Sequence, residues 1–293
     1  MKEETKSGEI NALIRLLDDT DEEVFSHIST RLITFGPAVI PVLESAWSGS
    51  LDAFMQGRIE QIIHRIQLEA LQKEIAAWAH SDDRDMLTGA ILVARYQYPD
   101  LNELKIRDQV DKIKRDAWLE LNDELTALEQ VKVLNRVFFD MHGFSGNTQN
   151  FHAPQNSDIN IVLETKKGNP LMLSLIYCKV ANDLSIPLYG INLPEHFVLG
   201  YRDENTAIPI LRQTDRQRIL FYVNCFSKGD VCGRKEIDAF LKQLKIKPEP
   251  QYYEPCTTVD MIQRLIRNLM NSFYKLGEMD KVSELELLMK ATE

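Results

Sequence analysis

From residue 9 to about 142 the apolar side chains recur at helical spacing: Ile10, Leu13, Leu16 and Leu17, then Val24, Ile28, Leu32 and Phe35, then Val39, Val42, Leu43 and Trp47. That period commits this part of the chain to helices. Asp21 stands where an N-cap or first-turn acid belongs, and Gly36 followed by Pro37 ends one helix and starts the next, so two helices fold back side by side in a HEAT-like hairpin. Leu51 to Trp78 and Arg84 to Tyr96 predict further helices, the second closed by Tyr98 and Pro99. Asn102 to about Leu121 follows with mixed charges suited to an exposed face. Leu125 to Phe139 then carries Leu128, Val131, Leu134, Val137 and Phe138 on a buried one. A single clear hairpin does not make a full repeat array.

The pattern changes at HGFSGNTQNFHAPQNSD, residues 142 to 158, where Gly, Asn, Ser, Pro and Asp replace the helical period. A domain junction is expected there. Downstream, Leu171 to Leu184 reads as a buried helix broken by Pro187. Leu188 to Leu193 and His196 to Tyr201 have the β-branched and aromatic content of strands, and Ile208 to Leu211 and Ile219 to Phe226 are further strand candidates. Arg234 to Leu244 returns to helix. After the linker KPEPQYYEP, Val259 to Leu276 and Met279 to Met289 form a helical pair with tetratricopeptide-like contacts and Gly277 in its turn. The expected class is α+β, predominantly α: an all-helical HEAT-like domain over 1–142, an α+β core over 143–250 and a helical hairpin over 251–293.

A chain of 293 residues exceeds what one compact core usually holds, and its 44% hydrophobic content suits ordinary globular folding. The excess of 44 acidic over 34 basic residues repels phosphate backbones and anionic lipid. The basic runs at Lys245 to Lys247 and at Lys166 and Lys167 read as solvated surface, so nucleic acid is not an expected partner. The opening MKEETKSGEINALIRLL has acids where a secretion signal needs basic and then apolar residues, and no segment reaches the roughly 20 apolar residues of a membrane span. A cytoplasmic protein off the membrane is expected. The cysteines Cys178, Cys225, Cys232 and Cys256 have no zinc or redox spacing, and no His, Cys, Asp or Glu set suits a metal, so reduced thiols and no cofactor are expected.

A buried helix, a strand bearing histidine and a strand ending in Asp or Asn is the order in which transglutaminase-like and papain-like folds present Cys, His and Asp. In such sites the helix dipole and imidazolium hold the cysteine as thiolate, and the third residue orients the imidazole. His196 and Asn224 stand at the second and third places.

Here GNPLMLSLIY, INLPEHFVLGY and FYVNCFSKG resemble the bacterial SirB-type family with its transglutaminase-like core. That family also has a helical N-terminal region, a GF.GN element matched by Gly143, Phe144, Gly146 and Asn147, and a tetratricopeptide-like C-terminal pair. Against the family patterns G.P.SL, P.HF and DPF..G, this sequence keeps Gly168, Pro170 and His196. It carries Met172 at the family serine, and Asn224 and Cys225 before Phe226 in place of Asp and Pro. Counting back from Pro187 of SIP, as the resemblance implies, puts Pro170 at the nucleophile's position. Proline has no nucleophilic atom and no N–H to offer an oxyanion.

Ser174 and Cys178 share a helix face with Pro170 but fall roughly 6 and 12 Å down the axis, which removes Cys178 from reach of a histidine level with the helix start. An imidazole opening a buried strand is ordinarily held by hydrogen bonds and does no chemistry. His196 is therefore expected to line a small polar pocket with Asn224, with Asn192 or Tyr201 nearby. His142 and His152 flank the GFSGN loop, and surface or loop packing is the first expectation for them, reach to the same cleft the second. The function expected is non-catalytic binding of a protein or peptide. The alternative is a hydrolase or acyltransferase using Ser174 with His196 and Asn224, which needs Ser174 Oγ within hydrogen-bond reach of the imidazole.

Overall fold

The computed structural model describes residues 2–202 and 219–293, so the strand candidate Ile208 to Leu211 lies outside the described residues. The chain divides into two compact units, Met1–Glu74 and Ile75–Glu293.

The first unit holds α1 (Lys2–Arg15), α2 (Glu22–Ile33), α3 (Ile40–Gly49) and most of α4 (Ala53–Ala79). Asp21 caps α2, its carboxylate accepting from the N–H of Glu23 at 2.8 Å. Gly36 takes φ +66°, which an L side chain resists, and Pro37 opens a short 3-10 turn into α3. Leu17, Leu32, Leu43, Ile59, Ile62 and Ile66 form the core, whereas Leu16 and Val42, which share the helical period, are exposed. Arg58 is buried in this unit. Its guanidinium donates to the carbonyls of Leu17 and Asp19 and lies over the rings of Phe25 and Phe54.

The second unit is α+β and predominantly α, as the sequence implies. Its helices α5 (Met86–Arg95), α6 (Glu103–Trp118) and α7 (Ala127–Asn135) precede α8 (Ile159–Thr165) and α9 (Pro170–Asp183). Asp85, Asn102 and the Thr126–Glu129 capping box start α5, α6 and α7. A π-helical turn, Arg136–Met141, extends α7, and Leu128 is exposed rather than buried. Two short strands, β1 (Ser145–Gly146) and β2 (Lys167–Gly168), pair in parallel. A four-stranded antiparallel sheet runs in the order β3 (Leu188–Leu193), β4 (His196–Arg202), β5 (Ile219–Asn224), β6 (Asp230–Cys232). The unit ends with α10 (Arg234–Gln243), α11 (Thr258–Leu276) and α12 (Met279–Lys290). Lys166 is half-buried, its ammonium 4.6 Å from the Phe144 ring centroid, and so is not a fully solvated cation.

Helix α9 is the centre of this unit: every residue from Pro170 to Cys178 is buried, and the helix packs on α5, α6, α8, α11, β3 and β4. The composition change at residues 142–158 is therefore internal to the second unit. Helices before and after it cover the same central helix. A run of Gly, Asn and Ser marks irregular backbone, which can lie within a domain as readily as between two. Among the described residues no helix is long and apolar enough to cross a membrane.

Candidate functional site

Asn169 sets the start of α9. Its carbonyl oxygen Oδ1 accepts from the Met172 N–H at 2.8 Å while its amide donates to Ser157 Oγ at 2.8 Å, and Pro170 occupies the first helical turn with φ already suited to it. Beside it the strands β3 and β4 are joined by Pro194 and Glu195. Glu195 is held at φ +57°, and His196 follows as the first residue of β4.

The GFSGN loop is fixed by close packing and amides. A Cβ on Gly146 would stand 2.5 Å from the Phe226 ring, so this glycine lets the two motif segments touch. Asn147 donates to Asn156 Oδ1 at 2.8 Å, and Asn156 in turn donates to the carbonyls of Asn150 and Phe151. That network places Phe151 and His152 at the mouth of a cavity.

The cavity has a volume of about 560 Å³. Its floor is formed by Asn169, Pro170, Leu171, His196 and Phe197, and one wall by Arg264, Asn268, Asn271, Ser272 and Lys275 of α11. Burial holds the His196 imidazole below its usual pKa of 6.5, the Asn224 side chain works against that, and Arg264 adds to the depression. Burial and Arg264 both favour the neutral ring. Asn224 also accepts from the N–H groups of Phe226 and Ser227, which closes the turn after β5 and fixes its own side chain.

Pro170 and His196 thus line one cavity, and His152 joins them there. His142 does not; its ring pairs with Asp116 at 2.8 Å. Asn192 binds the Arg264 guanidinium, and Tyr201 donates to Gln130 at 2.8 Å, so neither borders the cavity with His196. Ser174 Oγ is fully buried, makes no hydrogen bond among the described residues, and lies beside Cys225, whose thiol burial pushes up and the serine hydroxyl draws down. Cys178 donates to the Leu188 carbonyl at 3.2 Å, and burial pushes its thiol up to about 12. Asp158, next to Ser157, is fully buried with both carboxyl oxygens unpartnered, and burial raises its pKa to about 7.

The wall from α11 is absent from a reading of motifs alone. Its signal is present in RLIRNLMNSFYK: Arg264, Asn268, Asn271 and Lys275 recur at i, i+4, i+7 and i+11, opposite a face formed by Ile262, Leu265, Ile266, Leu269 and Phe273. Among the described residues no three His, Cys, Asp or Glu side chains gather as a metal site requires.

The family model of the transglutaminase-like superfamily matches residues 104–267, which spans α6 to the first half of α11 and so includes every element of the floor. A UPF0162 protein of Xylella fastidiosa is 33% identical over 120 residues, 39% of this chain and 41% of that protein. The UPF0162 protein of Pseudomonas aeruginosa is 24% identical over 193 residues, 66% of each chain. Human F-box only protein 21 is 22% identical over 258 residues, 79% of this chain and 39% of that protein. The match therefore spans only about two fifths of the length of the Xylella relatives. No solved structure matches it. From α9, the histidine strand and the span of the match, the chain belongs to the transglutaminase-like superfamily.

Proposed function

We propose that this protein is a non-catalytic transglutaminase-like protein of the SirB type, whose former catalytic cleft binds a protein or peptide segment. The observation that carries the proposal is Pro170 at the helix position bordering the same cavity as His196. Acyl transfer on this fold needs a nucleophile there, activated by the imidazole. Pro170 supplies none, and its ring removes the first N–H of the helix as well. The other parts persist: an imidazole whose burial favours its neutral form, the Asn224 carboxamide at the end of the neighbouring strand, and a cavity lined by amides and an exposed aromatic ring. Such a surface suits the alternating polar and apolar groups of a peptide. The HEAT-like reading of the first unit and the tetratricopeptide-like reading of α11 and α12 belong to the same proposal, since helical hairpins of both kinds present protein-binding faces. The placement is cytoplasmic, with no part for membrane or nucleic acid.

A pooled library of short peptides, titrated into the whole protein and read by fluorescence anisotropy, tests the reading. Saturable binding that weakens in Phe151→Ala and Asn268→Ala, with no peptide consumed over hours, is expected. Turnover of any peptide, or binding unaffected by both substitutions, contradicts it.

A further inference from the structure

Arg264 is a half-buried cation with no anion. Its Nη1 donates to Asn192 Oδ1 and to the Leu193 carbonyl at 2.5 Å, both neutral, and no carboxylate among the described residues pairs with it. Neutral acceptors satisfy N–H groups on one edge of the guanidinium. They leave the charge uncompensated in a partly desolvated site, which is costly unless an anion arrives. The remaining nitrogens belong to a residue that borders the cavity.

Three further features have the same sign. The positive end of α9 opens on the cavity at Leu171. Lys275, about 16 Å along α11 from Arg264, stands at the mouth with His152 as its neighbour at 3.1 Å. Between the two cations, Asn268 and Asn271 border the cavity with carboxamides that make no hydrogen bond among the described residues. Among the described residues, the one acid on the lining is the exposed Glu195. In a protein of formal charge −10, this cavity reverses the prevailing sign.

We infer that the cavity binds a peptide carboxylate, with Arg264 as its anchor, Asn268 and Asn271 on the adjoining amides, and Lys275 at the entrance. This rests on the peptide-binding reading above and names its chemistry. A carboxylate is planar and singly charged, which matches the free edge of one guanidinium. A phosphate dianion would meet Glu195 with only one buried cation to balance it. The carboxylate belongs either to the carboxy terminus of a polypeptide or to an Asp or Glu side chain.

The test is a titration of the whole protein, labelled with ¹⁵N at arginine and asparagine, with four probes: acetyl-Gly-Gly-Gly with a free carboxylate, the same peptide amidated, amidated acetyl-Gly-Glu-Gly, and inorganic phosphate. Saturable shifts of the Arg264 Nε–H and of the Asn268 and Asn271 amides are expected with a carboxylate probe. The amidated neutral peptide is expected to bind at least about tenfold more weakly, as befits loss of a charge-assisted hydrogen bond. Response to the free terminus assigns the carboxylate to a carboxy terminus, and response to the glutamyl peptide to an acidic side chain. Arg264→Gln should abolish the response. Because Arg264 also ties α11 to β3, Lys275→Gln, at an exposed position, serves as the second variant and should weaken binding several-fold and flatten its salt dependence. Equal binding of the neutral peptide overturns the inference and leaves the peptide-binding reading standing. Preference for phosphate overturns the inference also, and silence from all four probes overturns it and counts against the reading beneath it.

Discussion

Asn224, at the end of the neighbouring strand β5, draws the His196 imidazole toward its charged form, while its Oδ1 accepts from the N–H groups of Phe226 and Ser227. One side chain thereby closes the turn after β5 and bears on the charge of the imidazole. Asn224 favours the charged ring, and burial, the larger effect, disfavours it. Since the folded-state pKa of His196 lies below 6.5, the unfolded chain binds the proton more readily, so its share of stability is complete above pH 6.5 and declines as pH falls below that. An NMR titration should give an apparent His196 pKa under 6.5, and Asn224→Ala should lower it further. A rise in the variant would show that the carboxamide does not stabilise the imidazolium.

Asp158 titrates with the opposite sign. Its folded-state pKa of about 7 exceeds the ordinary 3.8, so its favourable contribution is complete below pH 3.8 and is lost as pH climbs through 7. Asp158→Asn removes the charge that burial penalises. Its melting temperature relative to wild type is expected to be more favourable at pH 8 than at pH 5, by several degrees. A pH-independent difference would contradict the assignment of a buried, unpartnered carboxyl.

Gly146→Ala should cost about 1–3 kcal/mol, because the new methyl meets the Phe226 ring at 2.5 Å. Chemical denaturation measures it. Shortening Phe226 to leucine in the same protein should recover part of the loss, and a purely additive double variant would exclude the contact as its cause.

In the first unit, Arg58→Met should cost about 2–4 kcal/mol, since the Leu17 and Asp19 carbonyls lose their donor while the exposed Glu22 loses little. Amide hydrogen exchange should quicken across α1 to α4. Unchanged exchange there would mean that the guanidinium is not what holds these turns.

The helices were legible because a period of 3.6 persists through them, and caps such as Asp21 and Asn102 are written locally. The π turn at Arg136–Met141 was not, since an apolar run with helical spacing does not distinguish one hydrogen-bond ladder from another. Strands β1 and β2 are too short to show a period. At the cavity, Pro170 and His196 follow from motif order, while Asn224 is not on its lining. His152 enters through the Asn147 and Asn156 amide network, and Arg264 through the packing of α11, relationships between distant segments that spacing cannot express. Tyr201 and Asn192 went elsewhere because each found a nearer partner, Gln130 and Arg264.

The central claim is that the cleft keeps its histidine and lacks only a nucleophile. It is tested by mass spectrometry after exposure to iodoacetamide, a vinyl sulfone and a fluorophosphonate, comparing wild type, Pro170→Cys, and Pro170→Cys with His196→Ala. Wild type should carry no adduct on Ser174 or Cys178, while the introduced cysteine should be labelled rapidly and lose that speed when His196 is removed. A histidine-dependent adduct on Ser174 or Cys178 of the wild-type protein would contradict the account and make the protein an enzyme.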